Sequence, residues 1–314
     1  MRRIHVMAAV ICNDSREILI ARRPKNAHQG GLWEFPGGKL EEGESRFDGL
    51  RRELREELGI EITEARPLLD IRHDYSDKSV RLDVWRVTAF TGKAHGAEGQ
   101  PVRWVAPAYL KEYSFPEANV PIVAAARLPE LYLVTPDVAN LDILLSGLES
   151  ARRRGVRVVQ LRQTQLAADE YQAWADAVVE RFGTDFTFML KGDVPPSIAG
   201  AGWHLTSSQL RMMATAGRQR DGFDGWLAAS CHDAEELALA ARVGVDFVTL
   251  SPVLPTQTHP DAEPLGWDRA AELIAQVNMP VYLLGGLGLA DLERAFEVGG
   301  QGVAGIRGIW ELPG

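Results

Sequence analysis

Cysteine is almost absent from this chain: there are two in 314 residues, Cys12 and Cys231, and no Cys-x-x-Cys pair. That excludes a disulfide framework and a thiolate zinc site, and two free thiols suit a reducing, cytoplasmic setting. Long apolar runs are absent too, and a helix needs about 20 consecutive apolar residues to span a bilayer. Arg2-Arg3 and the apolar residues 4–12 imitate the start of a leader. The run is short, lacks a cleavage site, and reads as a first strand. Positive charge is in short supply: 34 Lys and Arg stand against 43 Asp and Glu, a formal net charge of −9. That balance argues against a nucleic-acid polymer or a membrane surface as partner. A small polyanion would need local positive charge or a metal. No segment is of low complexity. With 46% hydrophobic and 25% charged residues, the chain has material for two soluble domains, each with its own core.

The most informative stretch begins at Gly37-Gly38-Lys39 and ends at Gly59-Ile60. A helix is predicted over 45–58, with Ser45 as N-cap and Gly59 as its left-handed stop. At about 100° per residue, Phe47, Leu50, Leu54 and Leu58 share one narrow stripe that faces a core. Glu53, Glu56 and Glu57 lie beside it within roughly 100°, because positions three and four apart are neighbours on a helix. The arginines of the same helix, Arg51, Arg52 and Arg55, are expected on another side. Three crowded carboxylates repel one another. A hard divalent cation such as Mg2+ makes the crowding favourable and bridges carboxylates to phosphates. Taken alone, the carboxylates also fit a solvated Glu/Arg-rich surface helix.

The full spacing decides between the two. Gly38, Glu44 six residues on, Arg52-Glu53, Glu56-Glu57 and Gly59-Ile60 match every fixed position of the Nudix box. This part of the chain therefore resembles the Nudix hydrolases, which cleave nucleoside diphosphates linked to another group. Around the box, strands are predicted at 6–11 and 18–21, joined by the turn Asn13-Asp14-Ser15-Arg16. Further strands are expected at 65–71, 80–90 and 103–105, a short helix from 106 to 110, and a last helix at 120–127. The expected unit is an α+β Nudix fold over residues 1–128, with the box helix laid on a mixed sheet.

The likeness extends outside the box. Arg23, His28, the segment from Trp33 to Lys39, Glu98-Gly99-Gln100-Pro101 and Phe115-Pro116-x-Ala118-Asn119 resemble the bacterial 8-oxo-dGTP diphosphatases. That resemblance implies hydrolysis of 8-oxo-dGTP at the β-phosphorus to 8-oxo-dGMP and pyrophosphate, which clears oxidised guanine nucleotides before a polymerase uses them. It implies Mg2+, with Mn2+ as a substitute, held by Glu53, Glu56, Glu57 and the carbonyl of Gly37 or Gly38. Glu98 serves as ligand or base, and Glu53 stands closest to the attacking water. Arg52 and Glu44 hold loop and helix in register. Gly37, Gly38 and Lys39 lie on the substrate side of the loop, and Arg23 and His28 near the sugar or phosphates. Asn119 and the backbone around Phe35 read the base. Oxidation turns guanine N7 from acceptor to donor, so a buried acceptor facing it discriminates strongly. Asn119 by itself also fits a helix N-cap, and His28 a solvated loop residue.

Beyond Leu128-Pro129 the pattern changes. Short apolar runs at 131–135, 156–161, 186–190, 203–205, 226–230, 247–250, 281–284 and 303–306 alternate with helical stretches at 141–153, 168–181, 234–243 and 267–276. Nearly continuous apolar strands indicate parallel strands buried on both faces. Eight such units over 129–314 predict a compact (β/α)8 TIM barrel, with a doubly wound open sheet as the alternative. Gly285-Gly286 and Gly305-Ile306-Arg307-Gly308 follow the last two strands, where backbone N–H groups can cradle a phosphate. Tight turns alone would also call for these glycines.

This half resembles the thiamine phosphate synthase and thiazole tautomerase superfamily. The matching residues are Leu133-Val134-Thr135, Gln160-Leu161-Arg162, Ser230-Cys231-His232, the segment from Ser251 to Thr258, and Gly285-Gly286. The resemblance implies a phosphorylated thiazole or thiamine-related ligand, held by Arg162, Thr256, Thr258, Gly285, Gly286 and Arg307. Against the synthase pattern the chain departs at Thr164 and His259, both lysines there, at Lys191-Gly192-Asp193 and at Thr206-Ser207-Ser208-Gln209. Pro252 replaces the tautomerase histidine. The phosphate end is kept and the reactive end is not, so the expectation is a degenerate, phosphate-binding barrel. Two other readings stay open: a hydrolase of a thiamine-pathway diphosphate with an active thiamine-related barrel, and a non-catalytic ligand-sensing barrel beside a vestigial first domain.

Overall fold

Alternation along the first strand, β1 (Ile4–Ile11), lays out the first unit. Met7, Ala9 and Ile11 face one core, and Ala8 and Val10 face another on the opposite side of the sheet. The computed structural model describes residues 3–220, 222–256 and 261–310, and the chain divides into two units, Met1–Arg127 and Leu128–Gly314.

In the first unit β2 (Ile18–Arg22) and β3 (Trp33–Glu34) precede the helix α1 (Arg46–Leu58). Then come β4 (Glu61–Asp74), β5 (Ser79–Thr91), β6 (Val102–Val105) and the helix α2 (Val120–Arg127). β1 pairs parallel with β5, and β4 antiparallel with β5, giving a mixed sheet of order β1-β5-β4. A second, antiparallel sheet of order β3-β2-β6 was not foreseen. The turn after β1 forms around Asn13, whose Oδ1 accepts from the Glu17 N–H at 2.9 Å. It carries the chain from one sheet to the other, with an isolated bridge between Cys12 and Ile18. The short helix expected at 106–110 is instead a 3-10 turn, Pro107–Glu112.

α1 begins and ends where its sequence dictates. Ser45 Oγ accepts from the Asp48 N–H at 3.1 Å, and Gly59 closes the helix at φ +66°. Leu50, Leu54 and Leu58 are fully buried against Met7, Ala9, Ile11 and Leu19. Each buried leucine contributes about 1.5–3 kcal/mol, enough to pin one helix face to the sheet and turn the other outward.

The second unit runs β7 (Leu131–Val134), α3 (Leu141–Arg153), β8 (Val158–Gln160), α4 (Ala168–Phe182), β9 (Thr187–Leu190) and β10 (Gly202–Leu205). It continues α5 (Ser207–Thr215), β11 (Leu227–Cys231), α6 (Ala234–Val243), β12 (Phe247–Leu250), α7 (Gly266–Ile274), β13 (Val281–Leu283), α8 (Leu292–Glu297) and β14 (Gly302–Gly305). The eight strands are parallel and close into a barrel, which rules out the open sheet. Alternate residues explain the closure. Leu133, Val159, Phe188 and Val248 face the helices, while Tyr132, Val158, Met189, Phe247 and Tyr282 fill the interior. Among the described residues no helix is long and apolar enough to cross a membrane.

Candidate active site

The loop before α1 is held against β1 as if it were a strand. Ala9 N–H donates to the Pro36 carbonyl at 2.8 Å, and Met7 N–H to the Gly38 carbonyl at 2.7 Å. Gly37, between them, turns the other way, and its N–H donates to Glu57 Oε2 at 3.0 Å. Its φ of +143° and the nearby Met7 carbonyl leave no room for a side chain. At Gly38 a Cβ would run into the Glu53 carboxylate. The two glycines therefore bring loop backbone directly onto two carboxylates of α1.

Arg52 sits among those carboxylates, not on another side. Its Nε and Nη2 grip Glu44 Oε1 and Oε2 at 2.7 and 2.9 Å, and Nη2 also donates to the Lys39 carbonyl at 3.0 Å. Its Nη1 reaches Glu53 Oε1 at 2.8 Å and Glu56 Oε2 at 3.3 Å. The reason is the two-pronged pull of Glu44, which draws the guanidinium back across the helix toward the loop. Hydrogen bonding by Arg52 lowers the Glu44 carboxyl to about 2. Arg51 and Arg55 do turn away, converging on Glu61.

Glu53 is 14% exposed against 57% for Glu56. Glu57 is the strained one. Burial, added to by the charges of Glu34, Glu53 and Glu98, lifts its carboxyl from 4.5 to about 7, against the opposing pull of the Gly37 N–H. Glu98, on the loop between β5 and β6, is exposed, and its charge is one of those felt at Glu57. As they stand, no three His, Cys, Asp or Glu side chains among the described residues converge on one metal position. The donor chemistry nonetheless fits a hard cation: all donors are oxygens, and an added positive charge relieves what raises Glu57.

Next to this edge lies a cavity of about 300 Å3 whose walls include Arg23, His28, Phe35, Gly37, Gly38, Lys39, Glu57 and Asn119. Phe35 stacks on Phe115 at 5.4 Å between centroids. Asn119 lies at the end of a short 3-10 turn. Among the described residues its amide has no hydrogen-bond partner, so it caps no helix. Arg23 pairs with Glu34, and its Nε holds the His28 carbonyl at 2.8 Å. The His28 ring packs edge-on against Tyr75, and its Nε2 is buried with no partner.

Glu34, Tyr75 and Lys78 also line this cavity and were not singled out from sequence. A signal existed for Glu34, a lone charge between Trp33 and Phe35. Burial raises its carboxyl, outweighing the Arg23 ion pair beside it. Tyr75 and Lys78 arrive through the β4–β5 turn, which carries no motif.

At the C-terminal mouth of the barrel, Gly285 and Gly286 have φ of +101° and +68°. Side chains there would collide with Pro252 and with Leu254 and Pro255. The turn needs both glycines whether or not a phosphate is bound. Arg162 Nη1 pairs with Asp137 Oδ2 at 3.2 Å, and Thr164 Oγ1 donates to the same oxygen at 2.7 Å. Gln209 closes a capping box with Thr206 and donates to the Gly192 carbonyl and Asp193 Oδ1 at 2.9 and 3.0 Å. Thr256 follows the β12 strand end and Arg307 the β14 end. Thr258 lies outside the described residues. Inside the barrel, Tyr132 Oη, His204 and Ser230 Oγ form a chain, 2.8 Å to Nδ1 and 3.0 Å from Nε2. Burial lowers His204 to about 3, so it is neutral. The sequence hint was a histidine inside the apolar run of β10.

Comparison with known proteins divides at the same place. A NUDIX domain model matches residues 6–125, and a thiamine monophosphate synthase model matches residues 131–309. A CTP pyrophosphohydrolase of Escherichia coli K12 is 40% identical over 125 residues, 40% of this chain and 92% of that protein. The 8-oxo-dGTP diphosphatase of the same organism is 36% identical over 127 residues, 40% of this chain and 98% of that protein. A thiamine-phosphate synthase of Thermus thermophilus is 31% identical over 196 residues, 59% of this chain and 91% of that protein.

Proposed function

Since residues 6–125 belong to the Nudix family and residues 131–309 to the thiamine monophosphate synthase family, we propose that the chain is a Mg2+-dependent hydrolase of oxidised guanine nucleotides joined to a barrel that binds a phosphorylated ligand without making thiamine phosphate. The observation that carries this is one cavity with an uncommitted Asn119 amide and Phe35 in its walls, and Glu57 in the same wall. A volume of about 300 Å3 suits a base with part of its sugar.

Glu53, Glu57, Glu98 and the Gly37 carbonyl would hold the cation, with Glu56 at the exposed edge. When bound there, Mg2+ neutralises phosphate charge and makes water more acidic. The chain's own residues do the rest. Asn119 accepts from N7–H of an 8-oxopurine and leaves guanine with an unmatched acceptor. Lys39 and Arg23 attract the phosphate tail. Glu53, less exposed than Glu56, takes the proton from the attacking water. Arg52, fixed by Glu44, keeps the loop and helix aligned while this happens. Attack at the β-phosphorus gives 8-oxo-dGMP and pyrophosphate.

Likeness to a CTP pyrophosphohydrolase supports a pyrimidine triphosphate as the second reading. Steady-state hydrolysis of 8-oxo-dGTP, dGTP, CTP and the pyrimidine diphosphate used in thiamine synthesis, in Mg2+ and in EDTA, separates the readings. The expected result is kcat/KM highest for 8-oxo-dGTP, monophosphate and pyrophosphate as products, and no turnover in EDTA. A higher kcat/KM for CTP or for the pyrimidine diphosphate overturns the substrate assignment.

A further inference from the structure

The last carbonyls of any helix lack partners within it. At the C-terminus of α1 they are claimed by the loop that carries Glu98. His95 N–H donates to the Leu58 carbonyl at 3.1 Å and Ala97 N–H to the Glu57 carbonyl at 2.9 Å. Gln100 then completes the closure with its side chain. Its Nε2 donates to the same Glu57 carbonyl at 2.9 Å, and its Oε1 accepts from the Glu98 N–H at 3.0 Å. Between these bonds the backbone makes a tight turn, with Gly99 N–H donating to the Gly96 carbonyl at 3.0 Å and Gly99 at φ +83°. Gly96 has the Gln100 carbonyl pressed against it where a Cβ would stand.

One amide therefore bridges two carboxylate residues that come from different parts of the chain, 41 positions apart (98 − 57 in the numbering). Glu98 is exposed, and its own carboxylate makes no hydrogen bond among the described residues. Of the bonds that hold this loop, the one Gln100 makes is to the backbone N–H of Glu98 itself. We propose that Gln100 is a positioning residue that sets Glu98 against the carboxylate edge of α1, and that it acts on hydrolysis only through Glu98. The chemistry requires an amide. A donor must meet the helix carbonyl while an acceptor meets the Glu98 N–H, and neither a carboxylate nor a thioether offers both.

This inference rests on the hydrolase reading of Glu98, and the test separates the two. Gln100→Met keeps the shape of the side chain and removes both hydrogen bonds. It is compared with Glu98→Gln and with the double variant, by kcat, KM and Mn2+ affinity from electron paramagnetic resonance in the absence of nucleotide. Partners that orient metal ligands are worth roughly 10–100-fold in affinity or activity. The expected result is a kcat loss in that range for Gln100→Met, weaker Mn2+ binding, KM within about twofold of wild type, and a double variant no worse than Glu98→Gln alone. Losses that multiply in the double variant mean that Gln100 acts elsewhere, and they overturn the proposal. A Gln100→Met protein with wild-type kcat and Mn2+ affinity also overturns it. If Glu98→Gln itself turns over normally, the reading of Glu98 fails first and Gln100 loses its role with it. Gln100→Glu, which keeps the acceptor and loses the donor, serves should the methionine variant not fold, and the same defects are expected of it.

Discussion

Replacing Glu57 by glutamine is expected to stabilise the metal-free protein while destroying its activity. The Glu57 carboxyl is lifted from 4.5 to about 7, burial first and neighbouring carboxylates after it. In the window between those values the folded state holds a proton that the unfolded state has released. Stability therefore falls as pH rises from 4.5 to about 7, and the full penalty remains at higher pH. At about 1.36 kcal/mol per unit the penalty is about 3 kcal/mol. Glutamine carries no charge and keeps an oxygen for the Gly37 N–H, so the variant escapes the penalty. For a domain of this size the gain corresponds to roughly 10 °C in Tm. Calorimetry in EDTA from pH 5 to 9, following the transition of the first unit, reads it directly. Wild type should lose stability from pH 5 to about 7 and hold level above it, and the variant should show no such fall. Saturating Mg2+ should then stabilise wild type, by about 2.7 kcal/mol at 100 times Kd, and the variant much less. A variant less stable than wild type at pH 8.5 in EDTA would refute the reasoning, because Glu57 would then be a satisfied carboxylate and not a strained one.

The other expectations are simpler. Glu53→Gln should lower kcat for 8-oxo-dGTP by at least roughly 10²-fold, the usual scale for a positioned acid or base, and turnover near wild type would remove Glu53 from the chemistry. Asn119→Ala should raise KM for 8-oxo-dGTP far more than for dGTP; equal effects on both would leave Asn119 a merely structural residue. A thiamine auxotroph lacking its synthase should fail to grow when given this gene, and growth without thiamine would show that the barrel is an active synthase.

The sequence was most legible where one residue type has one physical job. Ser45, Gly59 and the leucines of α1 fixed that helix to its ends, because capping, left-handed φ and a 3.6-residue stripe are all local. The barrel strands were legible because continuous apolar runs have few other uses. Side-chain direction was not. Arg52 lies on the helix where periodicity puts it, yet its guanidinium goes where Glu44 draws it, and Glu44 is eight residues away in a loop. The second sheet escaped because β3 is two residues long, too short for any alternation to show. Tyr75 and Lys78 join the cavity only because β4 and β5 extend as one long hairpin beside it. At the barrel mouth the reverse holds. Gly285 and Gly286 suit either a phosphate cradle or a tight turn by sequence, and close packing against Pro252 and Leu254 already demands them.

Crystals of the full chain soaked with Mn2+ and a non-hydrolysable 8-oxo-dGTP analogue provide the most direct test. The account expects an anomalous peak between the Gly37 carbonyl and the carboxylates of Glu53 and Glu57, with the base against Phe35 and the Asn119 amide. A peak elsewhere, or a nucleotide bound away from that edge of α1, contradicts it.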